Sequence, residues 1–182
     1  MKSNIILIGY MGCGKSTIGH KLAESLSVPF LDTDQWIEER EGMTISEIFA
    51  AKGEVYFRDL ETECLKELVQ KEQQSCAEGE EKTRKQIISV GGGLPVREEN
   101  QKLLKQLGWV IYLKAAPDTI YERVKNDTTR PLLQTENPLQ KIKDMLADRE
   151  EKYRAAAHEV VEADGKSVQE MTEQIIKGVN LQ

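Results

Sequence analysis

The chain has 182 residues, of which 39% are hydrophobic and 31% are charged, and its formal net charge is −6 at pH 7. This length and composition predict a single folded domain over 1–182 and argue against extensive disorder. The acidic balance, with a sequence pI of about 5.2, excludes binding to nucleic acid through a general surplus of positive charge. No segment approaches the roughly 20 apolar residues of a membrane span, so we expect no interaction with membranes.

The first residues and the cysteines indicate where the protein works. The first ten residues contain only a short apolar stretch, too short for the apolar region of a secretory signal peptide. Cys13, Cys64 and Cys76 are irregularly spaced and form no CxxC pair. We therefore expect a cytoplasmic, monomeric protein with three thiols, rather than one with disulfides or a zinc site.

Short apolar runs alternate along the chain with longer amphipathic stretches. Runs such as IILI and WVIYL are apolar at almost every position, which favours strands buried on both faces of a parallel sheet. The alternation predicts an α/β fold with right-handed crossovers. In chain order we predict a strand over 4–8, a helix over 15–26, a strand over 28–32, a helix over 54–69, strands over 86–90 and 109–113, a helix over 137–153 and a strand over 158–162.

Local composition refines two parts of this pattern. Residues 71–85 are almost wholly polar, which predicts an exposed extension of the preceding helix followed by a loop. A regulatory or partner-binding segment is the alternative. Further on, Asn137 and Pro138 fit the N-cap and the first position of the helix that they open.

Residues 9–17, GYMGCGKST, follow the first predicted strand and open the first predicted helix. They match the phosphate-binding pattern G-x-x-x-x-G-K-[ST] at Gly9, Gly14, Lys15 and Ser16. Glycines let backbone N–H groups approach phosphate oxygens, and the helix N-terminus adds partial positive charge. The lysine suits the β- and γ-phosphates, and the serine hydroxyl suits Mg²⁺. The segment therefore predicts a nucleotide-binding loop, in preference to a glycine-rich turn with an incidental lysine.

A phosphate-binding loop does not specify the reaction. A GTPase should carry an N-K-x-D motif after a strand, and the nearest match, at 124–127, has these residues out of order. A transport ATPase should have a longer chain with a signature helix. A small-molecule kinase needs only an acceptor pocket and a mobile lid, for which this chain is long enough. We therefore favour a small-molecule kinase.

The motif LDTD at 31–34 ends the second predicted strand. Residues two apart on a strand point the same way, so Asp32 and Asp34 can both lie at the carboxyl edge of the sheet, where α/β folds bind ligands. Asp32 is then expected near Mg²⁺ at the phosphate loop, and Asp34 is expected to face the phosphate acceptor. Alternatively, either carboxylate caps a helix that begins near Gln35, a role that is compatible with catalysis.

Six motifs occur in an order that resembles the shikimate kinase family. They are GYMGCGKST at 9–17, LDTD at 31–34, FRDLE at 57–61, SVGGG at 89–93, RPLL at 130–133 and RxxxY from Arg149 to Tyr153, within a similarity that extends from about Asn4 to Val161. The resemblance implies a five-stranded parallel sheet of the nucleoside-monophosphate-kinase type. It also implies phosphorylation of the 3-hydroxyl of shikimate by ATP, with Mg²⁺, on the route to chorismate and the aromatic amino acids.

The resemblance further implies roles for individual residues. The implied catalytic residues are Lys15, Asp34 and Arg130, with Asp34 as the base. The resemblance also implies an acceptor-binding segment over about 33–61. The implied shikimate site takes Asp34 and Arg58 from this segment, and Gly91, Gly92, Gly93 and Arg149 from other parts of the chain. The implied ATP contacts are Gly12, Cys13, Gly14, Lys15, Ser16 and Thr17, with Arg123 on the adenine and Arg130, in a lid over about 124–136, on the γ-phosphate. The implied Mg²⁺ partners are Ser16 and Asp32.

The chemistry of these residue types is consistent with those roles. A planar guanidinium binds a carboxylate through two hydrogen bonds, and a carboxylate can accept the proton of an attacking hydroxyl. For Arg58 and Arg149 the alternative is a surface ion pair with a helix neighbour, such as Glu61 or Glu150, and for Arg130 it is a solvated loop charge. Three consecutive glycines exceed what one turn requires, which favours close approach of a ligand. We assign Trp36 and Phe49 to core packing.

Two other functions are compatible with parts of the sequence. Gluconate kinase shares the phosphate loop and an acid-x-acid element, although it gives no reason for both FRDLE and SVGGG. A catalytically silent nucleotide-binding module should have lost Lys15, Asp34 or Arg130, and all three are present. The loop near 163–166, where a partner for adenine is expected, is too variable in the family for its residues to be assigned.

Overall fold

A parallel sheet of five strands forms the centre of the structure, a computed structural model that describes residues 4–77, 86–126 and 135–180. The strand order is β2-β3-β1-β4-β5. The strands are β1 (Asn4–Ile8), β2 (Phe30–Asp32), β3 (Ile87–Ser89), β4 (Gly108–Lys114) and β5 (Glu159–Glu162). The predicted α/β fold and its strands are confirmed, although β2 is shorter than the predicted 28–32.

Helices connect these strands. They are α1 (Lys15–Leu26), α2 (Thr33–Glu41), α3 (Ile45–Ala77), α4 (Glu98–Leu107), α5 (Pro117–Val124), α6 (Pro138–Ala156) and α7 (Val168–Asn180). The helix predicted over 54–69 is part of α3, which continues to residue 77 and is interrupted by non-helical backbone at Gly53. The rest of the polar segment, 78–85, lies outside the described residues. As predicted, Asn137 caps α6, and its side chain accepts a hydrogen bond from the Gln140 backbone N–H at 3.1 Å.

Apolar side chains form two separate buried clusters. The main core surrounds the sheet, and every residue of β1 is buried in it or against it. A smaller satellite core joins α2 to α3 through Ile37, Ile48, Phe57 and Leu60. The acceptor-binding segment predicted over 33–61 therefore has an apolar centre of its own, next to the sheet.

The strand order brings three loops together. In a parallel sheet all strands end at the same edge, and here β2, β3 and β1 are neighbours. The segments that follow them are the phosphate loop after β1, the DTD motif at the end of β2 and the GGG motif after β3. Three motifs that are far apart in sequence therefore meet at one point.

Two expectations from composition can be examined in the described part of the chain. Cys13 and Cys64 are buried and carry free thiols, as predicted, whereas the side chain of Cys76 lies outside the described residues. Among the described helices, none combines the length and the apolar character needed to cross a membrane.

The central strand gives a prediction for stability. Ile6 is fully buried and lies between Ile88 of β3 and Val110 of β4. We expect Ile6→Ala to lower the free energy of unfolding by about 2–5 kcal/mol, because it leaves a cavity in a packed core. Urea unfolding followed by circular dichroism measures this change. Val55→Ala is the control: its parent side chain is 72% exposed, so the change should stay within about 0.5 kcal/mol. Equal losses in the two variants would contradict the packing described for β1.

Candidate active site

The phosphate loop has the backbone that its glycines predict. Gly14 caps α1 with a φ of 103°, a left-handed conformation that favours glycine, and α1 begins at Lys15. At Gly9 an added Cβ would lie 2.5 Å from the Leu113 carbonyl oxygen, so a side chain has no room there. The loop therefore turns directly from β1 into the helix N-terminus, where backbone N–H groups can meet an anion.

Lys15 lies across this loop. Its Nζ donates hydrogen bonds to the carbonyl oxygens of Gly9 at 2.9 Å and Tyr10 at 3.1 Å. These bonds hold the ammonium group at the wall of the cavity that the loop forms. A fixed positive charge at this position suits the phosphates of a nucleotide.

Asp32 makes one hydrogen bond within α2 and a second to the phosphate loop. Its Oδ1 accepts a hydrogen bond from the Asp34 backbone N–H at 3.0 Å, which makes Asp32 the N-cap of α2. Its Oδ2 accepts a hydrogen bond from the Ser16 hydroxyl at 3.4 Å. One carboxylate therefore starts α2 and also faces the phosphate loop.

The Asp32 and Ser16 oxygens fit a magnesium ion by the kind of donor that they offer. Mg²⁺ prefers oxygen ligands and usually keeps several waters beside one or two protein groups and the phosphates of its nucleotide. Within the described residues, no group of three or more His, Cys, Asp or Glu side chains lies together as a metal site. The two oxygens of Asp32 and Ser16 are donors of the kind that suits an ion whose other ligands are waters and nucleotide phosphates.

Asp34 lies where two cavities meet. The first, the phosphate cavity, has a volume of about 510 Å³, and the second, the acceptor cavity, about 650 Å³. Both are lined by Asp34, Met11, Gly91 and Gly92. Every described residue predicted to contact ATP lines the phosphate cavity: Gly12, Cys13, Gly14, Lys15, Ser16, Thr17 and Arg123. The acceptor cavity contains the predicted acceptor residues Asp34, Arg58, Gly91, Gly92 and Gly93.

A hydrogen bond between the ends of β2 and β3 fixes the position of Asp34. The Thr33 side chain is fully buried, and its Oγ1 accepts from the Gly91 backbone N–H at 3.2 Å. An added Cβ at Gly91 would lie 2.5 Å from Asp34 Oδ1 and 2.9 Å from Glu61 Oε1. Glycine at this position therefore leaves room for two carboxyl groups.

The two carboxyl groups have raised pKa values. Burial raises the pKa of Asp34 to about 6, and the Asp32 carboxylate adds to the rise, whereas Lys15 and Arg58 oppose it. Burial also raises the pKa of Glu61 to about 7, against the opposing charge of Arg58. Asp34 Oδ1 and Glu61 Oε1 are both buried without a hydrogen-bond partner among the described residues. Unpaired acceptors next to a cavity are suited to a ligand hydroxyl.

Arg58 enters the acceptor cavity from α3. Its Nη1 donates to Glu61 Oε2 at 2.8 Å and its Nη2 to Glu54 Oε1 at 2.9 Å. The ion pair considered as the alternative for Arg58 is therefore present, but Glu61 is fully buried and the pair is not a surface feature. The guanidinium also occupies the space that a Cβ of Gly93 would need. Glu61 thus holds a cation against the glycine turn.

Arg149 reaches the same turn from α6. Its Nη1 lies 3.5 Å from the Gly92 carbonyl oxygen, and its guanidinium carbon lies 5.9 Å from the centre of the Tyr10 ring. One helical turn further on, the Tyr153 hydroxyl donates to the same carbonyl oxygen at 2.7 Å. The arginine and the tyrosine of the RxxxY motif therefore both bind the GGG segment, although neither is among the residues that line the acceptor cavity.

Arg123 closes the other end of the phosphate cavity. Its Nη1 donates to the Gly12 carbonyl oxygen at 3.2 Å. Lys166, Val168 and Met171 line the cavity near it, although the loop near 163–166 could not be assigned from sequence. Arg130 and the lid residues 127–134 lie outside the described residues.

Several residues of the acceptor cavity were not identified from sequence. They are Met11, Glu38, Thr44, Ile45, Ser46, Phe49, Phe57 and Glu61. Phe49 packs on the satellite core, as predicted, and it also lines the cavity, which the sequence did not indicate. The sequence indicates Glu61 only as an ion-pair partner of Arg58, its neighbour three residues earlier on the helix, and not as a residue of the site.

Comparison with known proteins agrees with this geometry. The family model described as "Shikimate kinase" matches residues 11–180. The shikimate kinase of Thermodesulfovibrio yellowstonii is 41% identical over 174 residues, which are 96% of this chain and 93% of that protein. The shikimate kinase of Sulfurihydrogenibium sp. is 40% identical over 173 residues, 95% of each chain.

Solved structures give the same result. The shikimate kinase of Acinetobacter baumannii, solved in complex with shikimate, superposes with a TM-score of 0.85 at 38% identity, over 97% of this chain and 92% of that chain. A gluconokinase from Sinorhizobium meliloti gives a TM-score of 0.57 at 15% identity, over 98% of this chain and 92% of that chain, and shares the fold alone. Both the predicted motifs and these relatives place the chain in the same group: it belongs to the shikimate kinase family.

Proposed function

We propose that this chain transfers the γ-phosphoryl group of ATP to the 3-hydroxyl group of shikimate, with Asp34 as the general base. The observation that carries the proposal is the position of Asp34 at the junction of the phosphate and acceptor cavities. A group at this point can touch both the acceptor hydroxyl and the space in front of the phosphate loop. The proton acceptor of a phosphoryl transfer has to occupy such a position.

Shikimate is a small carboxylate with hydroxyl groups, and the acceptor cavity has complementary chemistry. Arg58 lines the cavity, and Arg149 donates to the carbonyl of Gly92, which also lines it, so both guanidinium groups are proposed to pair with the carboxylate of the substrate. Phe49 and Phe57 provide apolar wall for the carbon ring. Glu61 keeps Arg58 turned toward the glycine segment, so the guanidinium is already oriented when the substrate arrives.

The chemical step is a displacement at phosphorus. The hydroxyl oxygen forms a bond to the γ-phosphorus while the bond from that phosphorus to the β,γ-bridging oxygen breaks, and ADP leaves. The hydroxyl proton passes to the Asp34 carboxylate. Lys15 stabilises negative charge on the phosphates, and Arg130, outside the described residues, is proposed to do so at the γ-phosphate. A Mg²⁺ ion held by Ser16 and Asp32 would neutralise phosphate charge when bound.

An assay of ADP release tests the proposal directly. The purified chain is supplied with ATP and Mg²⁺, and with shikimate, gluconate or buffer alone. Turnover should depend on shikimate and stay at the buffer rate with gluconate. Turnover with gluconate, or an equal rate in all three reactions, would overturn the proposed function.

The role of Asp34 gives a prediction for kcat. We expect Asp34→Asn to keep the fold and nucleotide binding but to lower kcat by about 10²- to 10⁴-fold, the usual contribution of a positioned general base. Steady-state kinetics with saturating shikimate and ATP measure the loss. The matched control is Asp59→Asn. It removes an exposed carboxylate of α3 that pairs with Arg97, and it should leave kcat within twofold. An unchanged kcat in Asp34→Asn would rule out this residue as the base.

The two arginines give a prediction for binding. We expect Arg58→Ala and Arg149→Ala each to weaken shikimate binding by roughly 1.5–3 kcal/mol, the range for hydrogen bonds to charged groups, with little effect on ATP. Calorimetric titration of each ligand separately measures both affinities. Arg40→Ala, at an exposed arginine that pairs with Glu67, should change neither. If ATP and shikimate affinities fall together, the arginines support the fold and not the substrate.

The raised pKa values give a prediction for pH. A general base works only when it is deprotonated, so kcat/KM for shikimate should fall as the pH drops through the pKa of the base. Since the pKa of Asp34, the proposed base, is about 6, we expect the midpoint of this acidic limb near pH 6. Rate profiles from pH 5 to pH 9 locate it. The same limb is expected in Asp59→Asn, and a flat profile down to pH 5 would contradict the assignment.

A further inference from the structure

The helix α3 turns a corner at Gly53. Gly53 has a φ of 82° and a ψ of 170°, in a region of backbone conformation that is essentially restricted to glycine. An added Cβ would meet no atom within 4 Å, so glycine is needed here for the direction of the chain and not for space. The corner divides α3 into a front arm, residues 45–52, and a rear arm, residues 54–77.

The acceptor cavity lies between these two arms. The front arm contributes Ile45, Ser46 and Phe49 to its lining, and the rear arm contributes Phe57, Arg58 and Glu61. The angle at Gly53 therefore sets the distance between the apolar residues on one side and the charged residues on the other. A change of angle would move the two walls of the cavity relative to each other.

A polar cluster next to the corner holds both arms. The Glu41 Oε2 atom, at the end of α2, accepts from Lys52 Nζ at 2.8 Å and from the Tyr56 hydroxyl at 3.0 Å. Lys52 Nζ also donates to the Tyr56 hydroxyl at 3.1 Å and lies 4.5 Å from the centre of the Tyr56 ring. Lys52 is the last residue of the front arm before Gly53, and Tyr56 is in the first turn of the rear arm. One carboxylate thus binds both sides of the corner.

The carboxylate of this cluster is more shielded from water than the lysine that it binds. The Glu41 side chain is only 13% exposed, whereas that of Lys52 is 39% exposed. Partial shielding from water strengthens charge interactions, and a group that has two donors on one oxygen is well ordered. The Lys52 and Tyr56 hydrogen bonds lower the pKa of the Glu41 carboxyl, so it stays ionised at neutral pH.

We propose that Glu41, Lys52 and Tyr56 form a positioning cluster that fixes the angle at Gly53 and thereby the fit of the acceptor cavity to its substrate. This role rests on the proposed function, since the substrate in question is shikimate. The three residues do not line either cavity. They act through the arms that carry Phe49 and Arg58.

The expected effect is a selective loss of acceptor binding. Tyr56→Phe removes one hydroxyl and keeps the ring, and Glu41→Gln removes one charge and keeps the shape. Each should raise KM for shikimate by roughly 3- to 10-fold, as expected for the loss of one side-chain hydrogen bond. The values of kcat and of KM for ATP should stay within twofold of the parent. Glu67→Gln is the matched control: it removes a carboxylate that pairs Arg40 of α2 with the rear arm, away from the corner, and should leave all three constants unchanged.

A charge reversal separates positioning from general stabilisation. The double variant Glu41→Lys with Lys52→Glu restores a pair of opposite charges between the same two positions. It should return KM for shikimate to within about twofold of the parent. Unchanged KM values in Tyr56→Phe and Glu41→Gln would overturn the proposal. A parallel change in kcat, in both KM values and in the melting temperature would also overturn it. The same holds if KM for shikimate in the double variant is as high as in Glu41→Gln. A parent chain without shikimate-dependent turnover would instead overturn the proposed function, and the acceptor role of the cluster with it.

Discussion

The hydrogen bond from the Gly91 backbone N–H to Thr33 Oγ1 connects the ends of two neighbouring strands, and the geometry of the site depends on it. It places the first turn of α2 against the GGG segment, so that Asp34 faces Gly91 with no side chain between them. The same segment is held from the other side by Tyr153 and Arg149, which bind the Gly92 carbonyl oxygen. Side chains from α2 and α6 therefore bind the backbone of the GGG segment at the point where the two cavities meet.

This arrangement is costly for the fold. Asp34 and Glu61 have pKa values above those of free carboxyl groups, so the folded chain binds their protons more tightly than the unfolded chain does. Below the ordinary pKa values both groups are protonated in the folded and the unfolded chain, so the raised pKa values do not affect stability there. As the pH rises from the ordinary to the folded pKa values, the free energy of unfolding decreases. At neutral pH the protein is therefore less stable than it would be if these two groups kept their ordinary pKa values. The role proposed for Asp34 accounts for keeping it, because a base has to be ionised to work.

Sequence reasoning succeeded where local chemistry determines the structure. The phosphate loop, the five strands and the cap at Asn137 each depend on residues that are adjacent in sequence, and all are found as predicted. It failed where contacts between elements that are distant in sequence determine which side chains line the site. The wall formed by Phe49 depends on the corner at Gly53, and the surroundings of Glu61 include Gly91, which follows β3 and is 30 positions away in sequence. The roles of the individual site residues stay predictions until the variants are measured.

The satellite core of Ile37, Ile48, Phe57 and Leu60 has a consequence for how such a chain can diverge. The segment that faces the acceptor is stabilised by its own apolar contacts, whereas the phosphate loop is anchored in the core around the sheet. Mutations in the satellite core can therefore remodel the acceptor wall while the nucleotide end stays intact. The fold in effect separates the part that delivers phosphate from the part that chooses its recipient, so that new acceptor preferences can be selected without rebuilding the machinery of transfer.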